Sequence, residues 1–362
     1  MNLKINYLYL FFLFTACTVQ QKEPFSFEPP VFPKTRQVQV VHLFSNFLFG
    51  DPTKMVDLRS HLMVRDFMEE RYFHIFEKET GVFIKSFANY GRGPGEFLTY
   101  PGMEVSNYLG MLYTYEGANG QNRFRSYKVA EILQKEQLYP IVETAPSFTI
   151  KEGDQYTGAV LNFLAWKDKR LFIRNRNYRF EVQDTLGDVR CLYDQYPSSA
   201  MPPDVDSSAL RWAYSRDAVL ALKPDLSKFV TTSKIGCILE VFDIDESGQI
   251  EKAAEKRFFP PIYRDVKYNI SYIERETIIG ISALFATDDY IYAKYEARRY
   301  IEGDMDRSLH KRIALFDWEG SPVCLYVLDW EILCFTIDSQ VNLCYIVGVD
   351  ANEEIQLGYF AL

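Results

Sequence analysis

One short pattern recurs along the chain and leaves few folds open. An apolar or aromatic pair is followed by an acidic residue, a glycine-containing turn and a second β-rich run. It appears as IFEKETGVFIKSF (Ile75–Phe87), FEVQDTLGDVRCLYD (Phe180–Asp194), LEVFDIDESGQIEKAAEKRF (Leu239–Phe258) and ALFDWEGSPVCLYVLDW (Ala314–Trp330). FRSYKVAEILQKEQLY (Phe124–Tyr139) is a degenerate copy, and NLCYIVGVDANEEIQLGYF (Asn342–Phe360) ends the chain. Each reads as a β-hairpin, because Gly, Asp and Asn punctuate runs of β-branched and aromatic residues. The first members begin ~50 to ~75 residues apart, which suits one four-stranded unit per repeat with insertions. Six units of roughly 58 residues fill the chain once its first residues are set aside, whereas seven would be shorter than the observed spacings. The expectation is an all-β, single-domain, six-bladed β-propeller with four-stranded antiparallel blades over residues 37–362. Val38–Leu43 is expected to close the ring beside the C-terminal hairpin, since an open ring would leave a sheet edge exposed.

Helical periodicity is scarce, with KVAEILQKEQL (Lys128–Leu138) the best candidate, for a turn or two. Aromatic residues at 16% and hydrophobic residues at 48% call for a large core and exclude disorder. The longest excursions, Ser198–Trp212, Phe259–Glu276 and Ala297–Lys311, belong on the faces of such a ring, where binding usually occurs.

The N-terminus supplies an address. Lys4 precedes the apolar run Ile5–Thr15, about half of the ~20 residues that a membrane-spanning helix needs, so residues 1–16 read as a signal peptide. Phe14-Thr15-Ala16-Cys17 resembles a bacterial lipobox, which implies diacylglycerol on Cys17 and a tether over residues 17–36. Acyl chains contribute about 0.8 kcal/mol per buried CH₂, so the expected address is a lipid-anchored place at the outer membrane. A net charge of −9 without a basic cluster speaks against nucleic acid. Cys191, Cys237, Cys324, Cys334 and Cys344 lack metal-type spacing and are expected as buried free thiols.

YGRGPGEF (Tyr90–Phe97) is the most distinctive loop. Its alternating glycines suggest left-handed backbone at Gly91, Gly93 and Gly95, and Arg92 and Glu96 are expected to pair and brace the first two blades. No Gly-Lys-Ser/Thr follows, and Pro94 removes an N–H, so the loop is a poor phosphate cradle.

This loop, with ALKPDLSKFV (Ala221–Val230), ATDDYIYAKY (Ala286–Tyr295) and IALFDWEGSPV (Ile313–Val323), resembles the TolB-like six-bladed β-propeller lipoproteins of Gram-negative envelopes, a family akin to NHL-repeat propellers. The resemblance spans nearly the whole chain after its leader, and it implies a fold and a compartment. Leu226 departs from the pattern, standing where a turn glycine is expected.

Catalytic constellations are sparse. His42, His61, His74 and His310 form no metal-binding pair, and Gly280–Leu284 lacks the second glycine of a nucleophile elbow. Asp243, Asp245, Asp288, Asp289, Asp317 and Asp338 fall near strand ends, where aspartate stabilises turns. Trp212, Tyr214, Tyr263, Tyr268, Tyr272 and Tyr300 could form an aromatic face for sugars or peptides. The reading is a monomeric, non-catalytic binding or scaffolding module without cofactor or metal, whose partner is a protein, peptide or glycan. The alternative is a hydrolase or lyase with an axial divalent cation, which would need several convergent oxygens.

Overall fold

Each recurring hairpin becomes two neighbouring strands of one sheet in the computed structural model, and six such sheets make the ring. The structure describes residues 26–362 apart from 94, 107–108, 119–120, 136–138, 145–159, 175–177, 185, 201–210, 212–213, 216–217, 265–271, 274–275 and 301–306.

From axis to rim, blade 1 comprises Lys54–Asp57, His61–Met68, Arg71–Glu77 and Phe83–Asn89. Blade 2 comprises Gly102–Ser106, Met111–Ala118, Gln121–Lys128 and Val142–Thr144. Blade 3 comprises Val160–Trp166, Lys169–Arg174, Phe180–Asp184 and Val189–Tyr193. Blade 4 comprises Ala218–Leu222, Lys228–Ser233, Cys237–Ile244 and Ile250–Phe259. Blade 5 comprises Ile278–Ala286, Ile291–Arg299, Arg312–Phe316 and Pro322–Leu328. Blade 6 has Glu331–Asp338, Leu343–Val349 and Ile355–Ala361 from the C-terminus.

The ring closes as expected in kind. Val41–Leu43 pairs antiparallel with Ile355–Ala361 and is the fourth strand of blade 6. Val38 belongs to a separate strand, Thr35–Val38, that runs parallel to Pro322–Leu328 and adds a fifth strand to blade 5. Contacts with the propeller therefore begin ahead of residue 37, the expected first residue of the domain. Glu28 N–H donates to Arg257 O of blade 4 at 3.0 Å, and the Phe32 ring lies 5.6 Å from Phe316 and 5.7 Å from Tyr295.

Aspartate sets the hairpin turns. In blades 3, 4 and 5, Asp184, Asp245 and Asp317 each accept two backbone N–H groups on one carboxylate oxygen, from residues two and four further on. Asp350 does the same between the second and third strands of blade 6. The left-handed position of these turns is glycine in blades 4 and 5, with φ of 91° at Gly248 and 77° at Gly320. Leu226, at the expected glycine position, does take φ 66°, and the blade 4 register runs unbroken beside it. In blade 2 a short helix, Val129–Gln134, occupies the third-to-fourth connection and buries Ile132.

The core lies between blades. Phe180, Phe229 and Phe242 pack between blades 3 and 4, with Phe229 stacked on Phe242 at 4.9 Å. Fully burying one such ring contributes about 1.5–3 kcal/mol. All five cysteines among the described residues are buried free thiols.

The meander gives the ring two unlike faces. One carries the first-to-second and third-to-fourth turns and is called here the hairpin face. The other, the connector face, carries the second-to-third turns and the links between blades. The Tyr90–Phe97 loop and all three long excursions leave from strand ends on the connector face.

Candidate functional site

Within its own sheet the inner strand of every blade pairs on one side only, so inner edges surround the axis. The start of the blade 5 edge is taken by the second-to-third turn of blade 4, where Gly236 N–H donates to Ile278 O at 2.8 Å and Gly280 N–H to Lys234 O at 3.1 Å. The inner edges enclose a cavity of about 940 Å³ to which all six blades contribute. Its walls mix apolar groups such as Met103, Phe163 and Phe335 with charged side chains. That size lies within the usual range for small-molecule sites.

At the hairpin end of the cavity charge pairing joins two blades. Lys78 is 6% exposed and donates to Asp57 of blade 1 at 2.7 Å, to Asp338 of blade 6, and to Arg59 O at 3.0 Å. One ammonium thus ties the first blade to the last, where the ring closes. Burial raises the Asp57 carboxyl above its ordinary value, and Lys78 opposes that shift.

At the connector end the charges are not all paired. Lys54 meets Glu104 of blade 2 at 2.6 Å. Next to Lys54 across the strand pair, Arg65 donates to Thr53 Oγ1 at 3.0 Å and to Pro101 O at 2.9 Å, and it lies 5.0 Å from the Tyr100 ring. Among the described residues no carboxylate approaches Arg65 within ion-pair distance, nor does one approach Lys234 in the second-to-third turn of blade 4. Burial lowers the Arg65 guanidinium from its ordinary value. The Cys334 thiol, on the cavity wall in blade 6, is pushed up to about 12 by burial and feels the charges of both Lys294 and Arg65. Lys294 in turn is lowered by burial, and Lys234 adds to that shift. Lys294 has Glu296 at 3.8 Å as its counter-charge, so Arg65 and Lys234 are the cations of this end that lack a carboxylate partner among the described residues. The buried cation Arg179 between blades 3 and 4 makes a contrast, because Glu240 takes it in a two-point pair and Tyr214 Oη donates to the same carboxylate at 3.3 Å.

The Tyr90–Phe97 loop braces blades 1 and 2, though not through the expected pair. Glu96 accepts the Gly93 N–H at 2.6 Å, while Arg92 is exposed and makes no ion pair with it. A Cβ on Gly93 would come 2.9 Å from Glu96 Oε2, and Gly95 rather than Gly93 has the left-handed φ, at 81°. Phe97 plugs the interface at 1% exposure, under the Arg125 guanidinium at 4.5 Å. Glu116 then anchors the next residues by accepting the N–H groups of Leu98 and of Thr99, the latter at 2.8 Å.

The expected aromatic face is only partly described. Trp212 and Tyr268 lie outside the described residues, as does Cys17. Tyr263 and Tyr272 belong to a short two-stranded ladder between blades 4 and 5. Tyr300 is half-exposed beyond the second strand of blade 5. Tyr214 is buried against Arg179 and belongs to the core. Of the acidic residues weighed for an axial metal, Asp245 and Asp317 hold turns, Asp243 pairs with Lys228, and Asp288 accepts the Asp225 N–H. Asp338 alone of the six reaches the cavity. Among the described residues no three His, Cys, Asp or Glu side chains gather as a metal would require.

Sequence reasoning missed Arg65 and Lys234. Arg65 follows the apolar run Leu62–Val64 in the strand HLMVRDFM, and a cation next to Asp66 there was the available signal.

The class that this geometry defines is a six-bladed β-propeller with a charged axial cavity. The sequence matches the TolB-like 6-blade propeller-like family over residues 31–340, and the chain belongs to that family. No curated protein matches it. Among solved structures, a member of the DUF4221 family from Bacteroides vulgatus is 12% identical, with a TM-score of 0.58 over 89% of this chain and 94% of its own. A candidate exported protein from Bacteroides fragilis is 13% identical, with a TM-score of 0.52 over 90% of this chain and 99% of its own. At these identities the likeness is one of fold.

Proposed function

We propose that this chain is an exported, lipid-anchored propeller of the Gram-negative envelope that binds a protein, peptide or glycan partner without transforming it. The observation that carries the reading is the state of the cavity carboxylates. Glu104 is held by Lys54, while Asp57 and Asp338 share Lys78. A carboxylate locked against an ammonium is poorly placed to act as a general base or to join a cation's oxygen shell. The apolar run Ile5–Thr15 before Cys17 supports export and anchoring, and the candidate exported protein with the same fold is consistent with it.

Chelation tests the reading against an axial-metal hydrolase. A metal bound only to the folded state stabilises it by RT ln(1 + [L]/Kd), so EDTA would lower the melting temperature of a metalloenzyme. The expected shift is indistinguishable from zero. A drop of several degrees that Ca²⁺ restores would promote the hydrolase.

A further inference from the structure

The chain carries a net charge of −9, yet its axial cavity is lined by six cationic side chains and three carboxylates. All three carboxylates are already paired, with Lys54 and Lys78. Lys223 pairs with Asp225. Arg59, Arg65 and Lys234 remain without a carboxylate partner among the described residues. Arg59 sits in the exposed first turn of blade 1 on the hairpin face, whereas Arg65 and Lys234 both belong to the connector end. A guanidinium half out of water beside no counter-charge is costly, and a bound anion would relieve it. Around these cations stand the inner backbone edges of the blades, which offer alternating N–H and C=O groups except where the start of the blade 5 edge is bridged to blade 4. Such a lining suits a ligand with many hydroxyls as well as a charge.

We propose that the connector end of the axial cavity binds an anionic sugar, its carboxylate or phosphate taken by Arg65 and Lys234 and its hydroxyls by the inner-strand edges. This deepens the binding reading above and rests on it. The fork of Arg65 matches either head group, and Lys234 adds a mobile point charge from the opposite side of the ring.

Equilibrium binding to the folded protein with glucuronate, glucose 6-phosphate and uncharged glucose tests this. At least one anion is expected to bind measurably tighter than glucose and to weaken as salt rises. Arg65→Gln and Lys234→Gln are each expected to weaken that anion by about tenfold or more while leaving the urea midpoint in place. Should Arg65→Gln fail to fold, Lys234→Gln decides alone, since Lys234 makes no side-chain bond to a described residue. Ala283→Trp, which fills the cavity, should abolish binding. The two anions separate a carboxylate site from a phosphate site. Equal binding of glucose and both anions, blocked by Ala283→Trp, would overturn the anion proposal and leave the cavity reading standing. Anion binding untouched by Ala283→Trp would overturn the cavity itself, and no anion binding above glucose would overturn the proposal outright.

Discussion

The two ends of the axial cavity use cations in opposite ways. At the hairpin end Lys78 is enclosed by two carboxylates from the first and last blades, and all three groups are nearly removed from water. At the connector end Arg65 has a threonine hydroxyl, a proline carbonyl and the Tyr100 ring as partners, and the Lys234 side chain has none among the described residues. A saturated buried cluster holds geometry, since taking one member away strands the others in a low dielectric. An unsaturated cation at a mouth holds little together and leaves its charge available to a ligand. The difference gives ring closure to one end and leaves the proposed recognition to the other.

The largest effect expected from breaking this contrast is at Lys78. Lys78→Ala should destabilise by about 3–5 kcal/mol in urea unfolding, because Asp57 and Asp338 would remain buried and facing each other. The penalty has a pH signature. Burial already raises the folded pKa of Asp57 above its unfolded value, and losing the lysine raises it further. A carboxyl raised in this way contributes most stability below its unfolded pKa, and that contribution is lost as pH rises through the folded value. The variant should therefore lose less relative to wild type at acid pH than at neutral pH. A penalty that does not change with pH would mean that the lysine acts through packing and not through charge.

A middling effect is expected on the connector face. Gly95→Val should cost about 1–3 kcal/mol in urea unfolding, because a β-branched side chain is strained at that φ. Gly93→Val should act differently, by pushing Glu96 off the Gly93 N–H, and so its cost should shrink when combined with Glu96→Ala. Additive costs in that double variant would show that the two residues are not coupled.

The smallest effect sharpens the comparison most. Arg65→Gln should change stability by less than about 1 kcal/mol, since it removes an uncompensated charge and loses only two hydrogen bonds to neutral, partly exposed acceptors. A loss as large as that of Lys78→Ala, measured in the same urea series, would make Arg65 a structural cation and erase the distinction between the ends.

The sequence by itself determined the architecture. Hairpins with an aspartate at the turn repeat because one carboxylate can cap two backbone N–H groups, a local arrangement that needs no distant partner. Four blades carry such a turn, the wider hairpin pattern extends to six sheets, and Leu226 was legible as a turn residue from its place in the pattern. Pairing between distant residues was decided only by the tertiary structure. Lys78 and Asp338 are 260 positions apart and meet only when the ring closes. Glu96 turned to its own loop because Gly93 offers an N–H at 2.6 Å with no side chain in the way, while Arg92 faces water. The charge left over in the cavity was equally invisible along the chain. It depends on which lysines and arginines find carboxylates, and six strands from six blades settle that question only where their edges converge on the axis.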